Sequence, residues 1–209
     1  MEIKKDLDLW LSWMDELADQ DYVIIDKFFD GDTYEKVRAE FQAKLPHFSQ
    51  ARIGALAQKS LHTEIRGDQT YWLDRKRDTA LQPFWEVVDE SIYVLNRYCF
   101  LSLSGYEFHF ANYPPGGHYD KHLDQFQGRN NRMISMIIYL NDDWQKGDGG
   151  ELEIFVADGS SVIVEPIGGR CVMFKSAVVP HAVRKSFKDR YSLTGWLLYQ
   201  PAELGKFLG

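Results

Sequence analysis

The chain has little cysteine, no long apolar segment and no excess of positive charge, and each absence excludes a class of protein. Its 209 residues include two cysteines, Cys99 and Cys171, which are far apart and form no CxxC pair. We therefore expect two reduced thiols in a reducing compartment, not a disulfide framework. The formal net charge of −7 argues against a broad phosphate-binding surface.

Long hydrophobic runs are also missing. No stretch of about 18 apolar residues is present, so we expect no transmembrane helix. The first residues, MEIKKDLDLWLSWMDELADQ, are acidic and amphipathic, without the apolar core or cleavage site of a signal peptide. We therefore expect a cytoplasmic protein. Hydrophobic residues make up 44% of the chain, which is enough for one domain with a substantial core.

The hydrophobic pattern predicts helices first and strands afterwards. Residues 1–98 are predicted to be mainly helical, apart from a polar, irregular stretch over 49–78. From about residue 99 to 201, seven short β-branched or aromatic segments are separated by glycine turns, which predicts an α+β fold with a double-stranded β-helix (jelly-roll) core. We expect a single domain, 1–209, with N-terminal helices packed on one sheet. The predicted helices cover 5–18, the residues after a cap at Asp30 or Asp32, and roughly 80–98, and a strand is predicted over 22–29.

The segment HYDKHLDQF (118–126) carries the first sign of chemistry. In a strand, residues two apart point to the same face, so His122 and Asp124 are expected to reach one point together. An imidazole, a carboxylate and a second imidazole make the three-ligand face of non-haem Fe(II) oxygenases. His118 and Asp120 share this parity, and are expected either to contact the ligands or to lie in a solvated loop.

A later strand must supply the second imidazole, and only His181 lies downstream of the pair. An oxygenase of this kind needs electrons, which decarboxylation of an iron-chelating 2-oxo acid supplies. The distal carboxylate of that acid needs a buried cation, and Arg190 is the candidate, because a guanidinium grips a carboxylate with two parallel hydrogen bonds. Thr194 shares its strand parity. His109 is expected on a strand, facing either the core or a cleft.

With these residues in place, the chain from roughly 20 to 200 resembles the 2-oxoglutarate- and Fe(II)-dependent prolyl 4-hydroxylases. Within that family it is most similar to the oxygen-sensing (hypoxia-factor) type and its bacterial relatives. The segments that carry the resemblance are IRGDQTYW (65–72), NYPPGGHYDKHLD (112–124), IIYLNDDW (137–144), GGELEIF (149–155) and HAVRKSFKDRYSLTGW (181–196).

The resemblance implies a role for each matching residue. Iron would be held by His122, Asp124 and His181, and 2-oxoglutarate by Arg190 with Tyr139, Thr194 and Tyr113. The residues implied to line the substrate side are Arg132, Trp196, Val183, Arg66 and Asp68. The last two would belong to a lid segment at about 50–78, beside a catalytic core over 99–201.

The implied reaction is hydroxylation of a prolyl residue in a cytoplasmic protein, with release of succinate and CO2. Fe(II), 2-oxoglutarate and O2 would be required, with ascorbate as reductant. The partner would be a protein or peptide, a translation factor being one candidate, and not a membrane or a nucleic acid. Oxidation of a free amino acid or other small molecule, nucleic-acid demethylation, and a non-catalytic metal-binding jelly roll remain open.

Overall fold

Helices come first along the chain, and strands dominate after residue 99, as the hydrophobic pattern predicts. The computed structural model describes residues 3–50, 66–125 and 130–199. None of the described helices is long and apolar enough to span a bilayer. The helices are α1 (Leu7–Gln20), α2 (Gly31–Lys44) and α3 (Gln82–Cys99), with single-turn 3-10 helices at Leu45–His47 and Thr79–Leu81. The strands are β1 (Tyr22–Ile25), β2 (Ser49–Gln50), β3 (Gln69–Trp72), β4 (Leu103–Tyr113), β5 (Tyr119–His122), β6 (Arg132–Tyr139), β7 (Leu152–Phe155), β8 (Ser161–Val164), β9 (Cys171–Lys175), β10 (His181–Val183) and β11 (Arg190–Tyr199).

The start of α2 and the end of β1 are both set by local chemistry. The carboxylate of Asp30 accepts a hydrogen bond from the backbone N–H of Thr33 at 2.7 Å, so Asp30 is the cap and Asp32 lies in the first turn. The strand predicted over 22–29 is wrong at its C-terminal half. Lys27 has a φ of 53°, and this left-handed residue turns the chain out of the sheet.

The described strands form two antiparallel sheets. The large sheet has the order β1-β9-β6-β11-β4-β3-β2, and the small sheet has the order β5-β10-β7-β8. Helices with two facing antiparallel sheets agree with the predicted α+β, jelly-roll type of fold. The prediction of an irregular stretch over 49–78 is wrong for Gln69–Trp72, which pairs with β4. Most of the predicted lid, residues 51–65, lies outside the described residues.

Each central strand of the large sheet presents different chemistry on its two faces. Along β6, Ile134, Met136 and Ile138 join one buried cluster, while Ile137 and Tyr139 join another. The first cluster also contains helix side chains, and we call this side of the sheet the helix face. The second contains side chains of β7, β8 and β10, so it lies between the two sheets, and we call this side the inner face. The functional residues described next belong to the space between the sheets.

Candidate metal centre and active site

Three of the predicted residues, His122, Asp124 and His181, come together between the sheets. Each offers one ligand atom, and these atoms all lie within 4.8 Å of one another. His122 ends β5 and His181 begins β10, and the two residues are directly paired across the antiparallel strands. We call these three residues the metal cluster. Two imidazoles and a carboxylate are a donor set that suits Fe(II) and leaves coordination positions open.

The route by which Asp124 reaches the cluster differs from the predicted one. Asp124 lies two residues beyond the end of β5, so strand parity does not orient it. The irregular pairing of β5 with β10 also interrupts simple alternation in this strand. His118 and Asp120 approach each other at 3.7 Å, with the Asp120 side chain 62% exposed, and do not join the metal cluster.

Buried contacts hold the cluster in the protonation states that a cation requires. The Ser135 hydroxyl donates to Oδ2 of Asp124 at 2.6 Å and also contacts the Ser176 hydroxyl at 2.8 Å. Burial by itself would raise the pKa of Asp124, but His181, His122 and the Ser135 hydrogen bond outweigh it and hold this pKa well below its usual range. Burial lowers the pKa of His181. An ionised carboxylate beside a neutral imidazole is ready to bind a metal ion without first losing protons.

In both histidines, Nδ1 contacts a backbone carbonyl and Nε2 points towards the metal cluster. Nδ1 of His181 lies 3.1 Å from the carbonyl oxygen of Val179, and Nδ1 of His122 lies 2.7 Å from that of Asp120. Each Nδ1–H can donate to its carbonyl, which leaves each Nε2 directed at the cluster. Such backbone contacts fix the tautomer of a metal-binding histidine.

Arg190 is buried on the inner face of the large sheet and has hydrogen-bonding capacity to spare, and we call its surroundings the Arg190 pocket. It is 2% exposed, and its Nε donates to the carbonyl oxygen of Gly150 at 2.7 Å. Its Nη2 has no hydrogen-bond partner among the described residues, and neither has the hydroxyl of Tyr139. A buried guanidinium without a carboxylate partner is costly, and a bound carboxylate would satisfy it.

Neighbouring residues complete this pocket. Rings of Tyr113 and Tyr139 lie 4.9 and 5.0 Å from Cζ of Arg190, and burial raises the pKa of both phenols, so each stays a neutral donor. Ser192, which the sequence analysis did not identify, lies between Arg190 and Thr194, at 3.4 Å from the guanidinium and 3.2 Å from the Thr194 hydroxyl. Its parity with these two residues was the available signal.

Gly150 is fixed by this pocket. It has a φ of +77°, and a Cβ built there would lie 2.9 Å from Cδ of Arg190. Only glycine combines that backbone conformation with so close an approach. The GG pair at 149–150 therefore shapes the backbone that holds the arginine.

On the other side of the cluster, aromatic rings extend outwards. The guanidinium of Arg132 lies 3.5 Å above the ring of Trp196 and forms an ion pair with Glu107. The ring of His109 lies 5.6 Å from that of Trp196 and 4.8 Å from that of Trp72, which is 49% exposed. His109 is buried on the inner face of the large sheet, next to the exposed ring of Trp72. We call Trp72, His109 and Trp196 the aromatic row.

Val183, Arg66 and Asp68 lie near β5. Val183 is buried in β10 and pairs with Tyr119. Arg66 forms a bidentate ion pair with Asp68, with both distances 2.6 Å, and its Cζ lies 4.6 Å from the ring centroid of Tyr119. The twelve predicted site residues thus make their contacts around the metal cluster, Arg190, Trp196 and Tyr119, and their roles stay predictions. Tyr119, Trp72, Glu107 and Ser135 were missed because their roles depend on contacts between different elements.

Comparison with known proteins agrees with this geometry. Residues 108–198 match the model of the 2OG-Fe(II) oxygenase superfamily. A crystal structure of a Pseudomonas putida prolyl-4-hydroxylase is 34% identical with a TM-score of 0.82, over 90% of this chain and 98% of that one. A Trichoplax adhaerens prolyl hydroxylase, solved with a hypoxia inducible factor peptide, is 24% identical with a TM-score of 0.81, over 93% of this chain and 94% of that one, and shows the shared fold.

A curated relative gives a shorter match. A prolyl 3,4-dihydroxylase of Ostreococcus tauri is 39% identical over 82 residues, which cover 31% of this chain and 16% of that protein. The match therefore concerns a small part of that relative. The family of the chain follows from the Pseudomonas putida enzyme, which is 34% identical and is covered over 98% of its length. The chain belongs to the 2OG-Fe(II) oxygenase superfamily, within its prolyl 4-hydroxylase family, and is a dioxygenase that depends on Fe(II), 2-oxoglutarate and O2.

Proposed function

We propose that this enzyme hydroxylates a prolyl residue of a protein or peptide, with release of succinate and CO2. The observation that carries the proposal is the arrangement of the cleft. The inner face carries the metal cluster, a buried arginine with an unpartnered donor at Arg190, and an aromatic row that reaches solvent at Trp72. Such a cleft accepts a small acid at one end and part of a larger molecule at the other. The 34% identity to a prolyl-4-hydroxylase favours proline as the target.

We assign iron to His122, Asp124 and His181. When bound there, Fe(II) with 2-oxoglutarate and O2 supplies the oxidising chemistry that inserts oxygen into a carbon–hydrogen bond. Asp124 contributes the negative charge and His122 and His181 neutral nitrogen donors. Ser135 keeps the carboxylate oriented.

We assign 2-oxoglutarate to the pocket at Arg190. Its distal carboxylate would accept from the free Nη2 of Arg190 and from the Tyr139 hydroxyl, which together satisfy two buried donors. Thr194 would contribute a further hydroxyl group, which is in contact with that of Ser192. Tyr113 would lie beside the co-substrate. Because Gly150 O already holds Nε of Arg190, the guanidinium is oriented before the ligand arrives.

We assign the substrate to the side that Trp196, Arg132, Val183, Arg66 and Asp68 border. The pyrrolidine ring of proline is compact and largely apolar, and it packs well against an indole ring. Arg132 is held by Glu107 and by the Trp196 ring, so it presents a fixed charge next to the cleft. The ion pair between Arg66 and Asp68 would position the segment that borders the substrate.

Several finer assignments belong to the same proposal. Residues 1–209 would act as one domain, in which 1–98 supports a catalytic core over 99–201 and the N-terminal helices pack on the large sheet. The substrate would be a cytoplasmic protein, with a translation factor as one candidate. Ascorbate would keep the iron reduced.

The decisive experiment measures succinate formed from 2-oxoglutarate with Fe(II) and ascorbate. It is run with and without proline-containing peptides and proteins of a cell lysate, and with Asp124→Ala as a blank. Succinate that rises with a peptide, together with a mass gain of one oxygen atom on its proline, supports the proposal. Slow succinate release that no peptide stimulates would favour a small-molecule substrate. No succinate from iron-loaded enzyme would contradict the proposal.

A further inference from the structure

His122 is the least enclosed of the three residues in the metal cluster. Its side chain is 19% exposed, against 9% for Asp124 and 4% for His181. His181 packs beside the ring of Phe174 at 4.5 Å, and Asp124 accepts the Ser135 hydrogen bond. Apart from the ring of His181, whose centroid lies 4.3 Å away, the contacts that orient the His122 ring come from its own strand.

Two such contacts exist, and they restrict different motions. The carbonyl oxygen of Asp120 lies 2.7 Å from Nδ1 and fixes one edge of the ring. A single contact of this kind still allows the ring to tilt about it. The ring of Tyr119 stacks on the imidazole with centroids 3.6 Å apart and planes at 19°, and this stack opposes the tilt.

A β-bulge places Tyr119 under His122. The two residues are three apart, so in a regular strand they would point to opposite faces. In β10, however, the partners of His122 and Tyr119 are His181 and Val183, which are only two apart. The extra residue in β5 brings the tyrosine round to the side of the histidine.

Tyr119 is in turn held by Arg66. The guanidinium Cζ lies 4.6 Å from the Tyr119 centroid, and Arg66 is bound bidentately by Asp68, which is fully buried. The backbone reinforces this contact. Gly67 N–H donates to the carbonyl oxygen of His118 at 2.9 Å, and a Cβ on Gly67 would lie 3.1 Å from Cα of Gly117.

We infer that Tyr119 is a positioning residue, which holds the His122 imidazole in the orientation that metal binding requires and is itself held by the Arg66–Asp68 pair. The inference rests on the proposed function, because it takes the metal cluster as the iron site. It gives Arg66 and Asp68 a second task besides bordering the substrate. Loss of this stacking contact should weaken metal binding, although all three ligand residues would still be present.

The test uses Co(II) alone as the probe, with affinity from titration and geometry from its visible absorption. Tyr119→Ala should weaken Co(II) binding by about ten-fold and should alter the absorption spectrum. This is the low end of the effect of residues that contact metal ligands. Tyr119→Phe keeps the stacked ring and should behave like the wild type. Arg66→Met should give a smaller loss in the same direction.

The matched control is Tyr106→Ala, since Tyr106 is also stacked, on Trp85 at 5.4 Å, but belongs to the helix-face cluster. It should lower thermal stability and leave Co(II) affinity unchanged. Equal affinity and spectra in wild type and Tyr119→Ala would overturn the inference, as would an equal loss in Tyr106→Ala. Failure of the wild type to bind Co(II) would instead contradict the metal assignment itself.

Discussion

The two faces of the large sheet differ in what they leave unsatisfied. The helix face is closed mainly by apolar side chains such as Phe108 and Phe110, and the indole N–H of Trp85 is its one buried polar atom that lacks a partner among the described residues. The inner face carries buried polar atoms that have no partner among the described residues, at His109, Tyr139, Arg190 and Trp196. Buried polar groups are normally paired, so such a concentration marks a place prepared for ligands. The same strands therefore provide stability on one side and binding on the other.

The largest effect should come from a single carboxylate on the ligand side. Asp124→Ala removes one of three metal donors, so turnover should be abolished, while thermal unfolding should shift little because no apolar packing is lost. Assays of succinate formation and thermal melts measure the two quantities. Asp120→Ala is the matched control, since that side chain is exposed two residues earlier. Residual turnover in Asp124→Ala near the wild-type rate would refute the assignment.

On the helix face, the opposite result is expected. Phe110 is fully buried, so Phe110→Ala should lower the free energy of unfolding by about 3–5 kcal/mol through lost burial and the cavity that remains. Urea denaturation gives the value. Folded protein under native conditions should retain its 2-oxoglutarate affinity. A loss below about 1 kcal/mol would mean that this face tolerates voids, against close packing of the core.

The pocket at Arg190 should show a large effect on binding and a small one on folding. Arg190→Ala removes a buried charged donor, whose hydrogen bonds are worth about 1.5–3 kcal/mol, so the KM for 2-oxoglutarate should rise by about 10- to 100-fold. Steady-state kinetics with varied 2-oxoglutarate measures it. The control is Arg75→Ala, which breaks a bidentate ion pair with Asp89, far from Arg190 in the sequence. This change should leave the KM unchanged. An unaltered KM in the Arg190 variant would exclude it as the co-substrate anchor.

The smallest effect concerns the pH dependence of stability at His109. Burial first, and then the charges of Arg66 and Arg132, lower its pKa to about 3, although Asp68 and Asp124 oppose this shift. The unfolded chain, with a histidine pKa near 6.5, thus binds more protons below that pH. Above about pH 6.5 the titration of His109 therefore does not reduce the free energy of unfolding. As the pH falls from about 6.5 towards 3, it lowers that free energy progressively.

His109→Phe keeps a stacking ring but removes the titration. Between pH 7 and pH 5 the wild type should lose about 1–2 kcal/mol more unfolding free energy than this variant. Urea denaturation at both pH values measures the difference. Parallel losses in the two proteins would show that His109 is protonated in the folded state, and that the inner face is wetter at this point than its burial indicates.

Much of the architecture could be predicted because it depends on local patterns. The three helices and the strand segments after residue 99 follow from periodicity and capping, although only the structure chose Asp30 over Asp32 as the cap of α2. The shortened β1 and the unforeseen strand Gln69–Trp72 could not be predicted in this way. The end of β1 depends on the left-handed backbone of Lys27, a residue type that does not announce this conformation, and Gln69–Trp72 depends on its distant partner β4.

The site was predicted through residue types and motif resemblance, and its supporting contacts were not. His122, Asp124, His181 and Arg190 were identified by chemistry and order in the chain. Ser135 lies in β6 of the large sheet, whereas Asp124 follows β5 of the small sheet. Their contact could not be predicted, because it depends on how the two sheets pack. The bulge in β5 was equally hidden, since it appears only when the register with β10 is known.

The alternation along β11 limits how the gene for this enzyme can change in length. Arg190, Ser192 and Thr194 lie on the inner face, where we propose that 2-oxoglutarate binds, whereas Leu193 and Leu197 lie in the helix-face cluster. Deletion of one codon in this strand would turn leucines towards the co-substrate and the arginine towards the apolar core. Substitutions can therefore alter ligand preference one position at a time, while insertions and deletions should be confined to exposed connections such as residues 156–160.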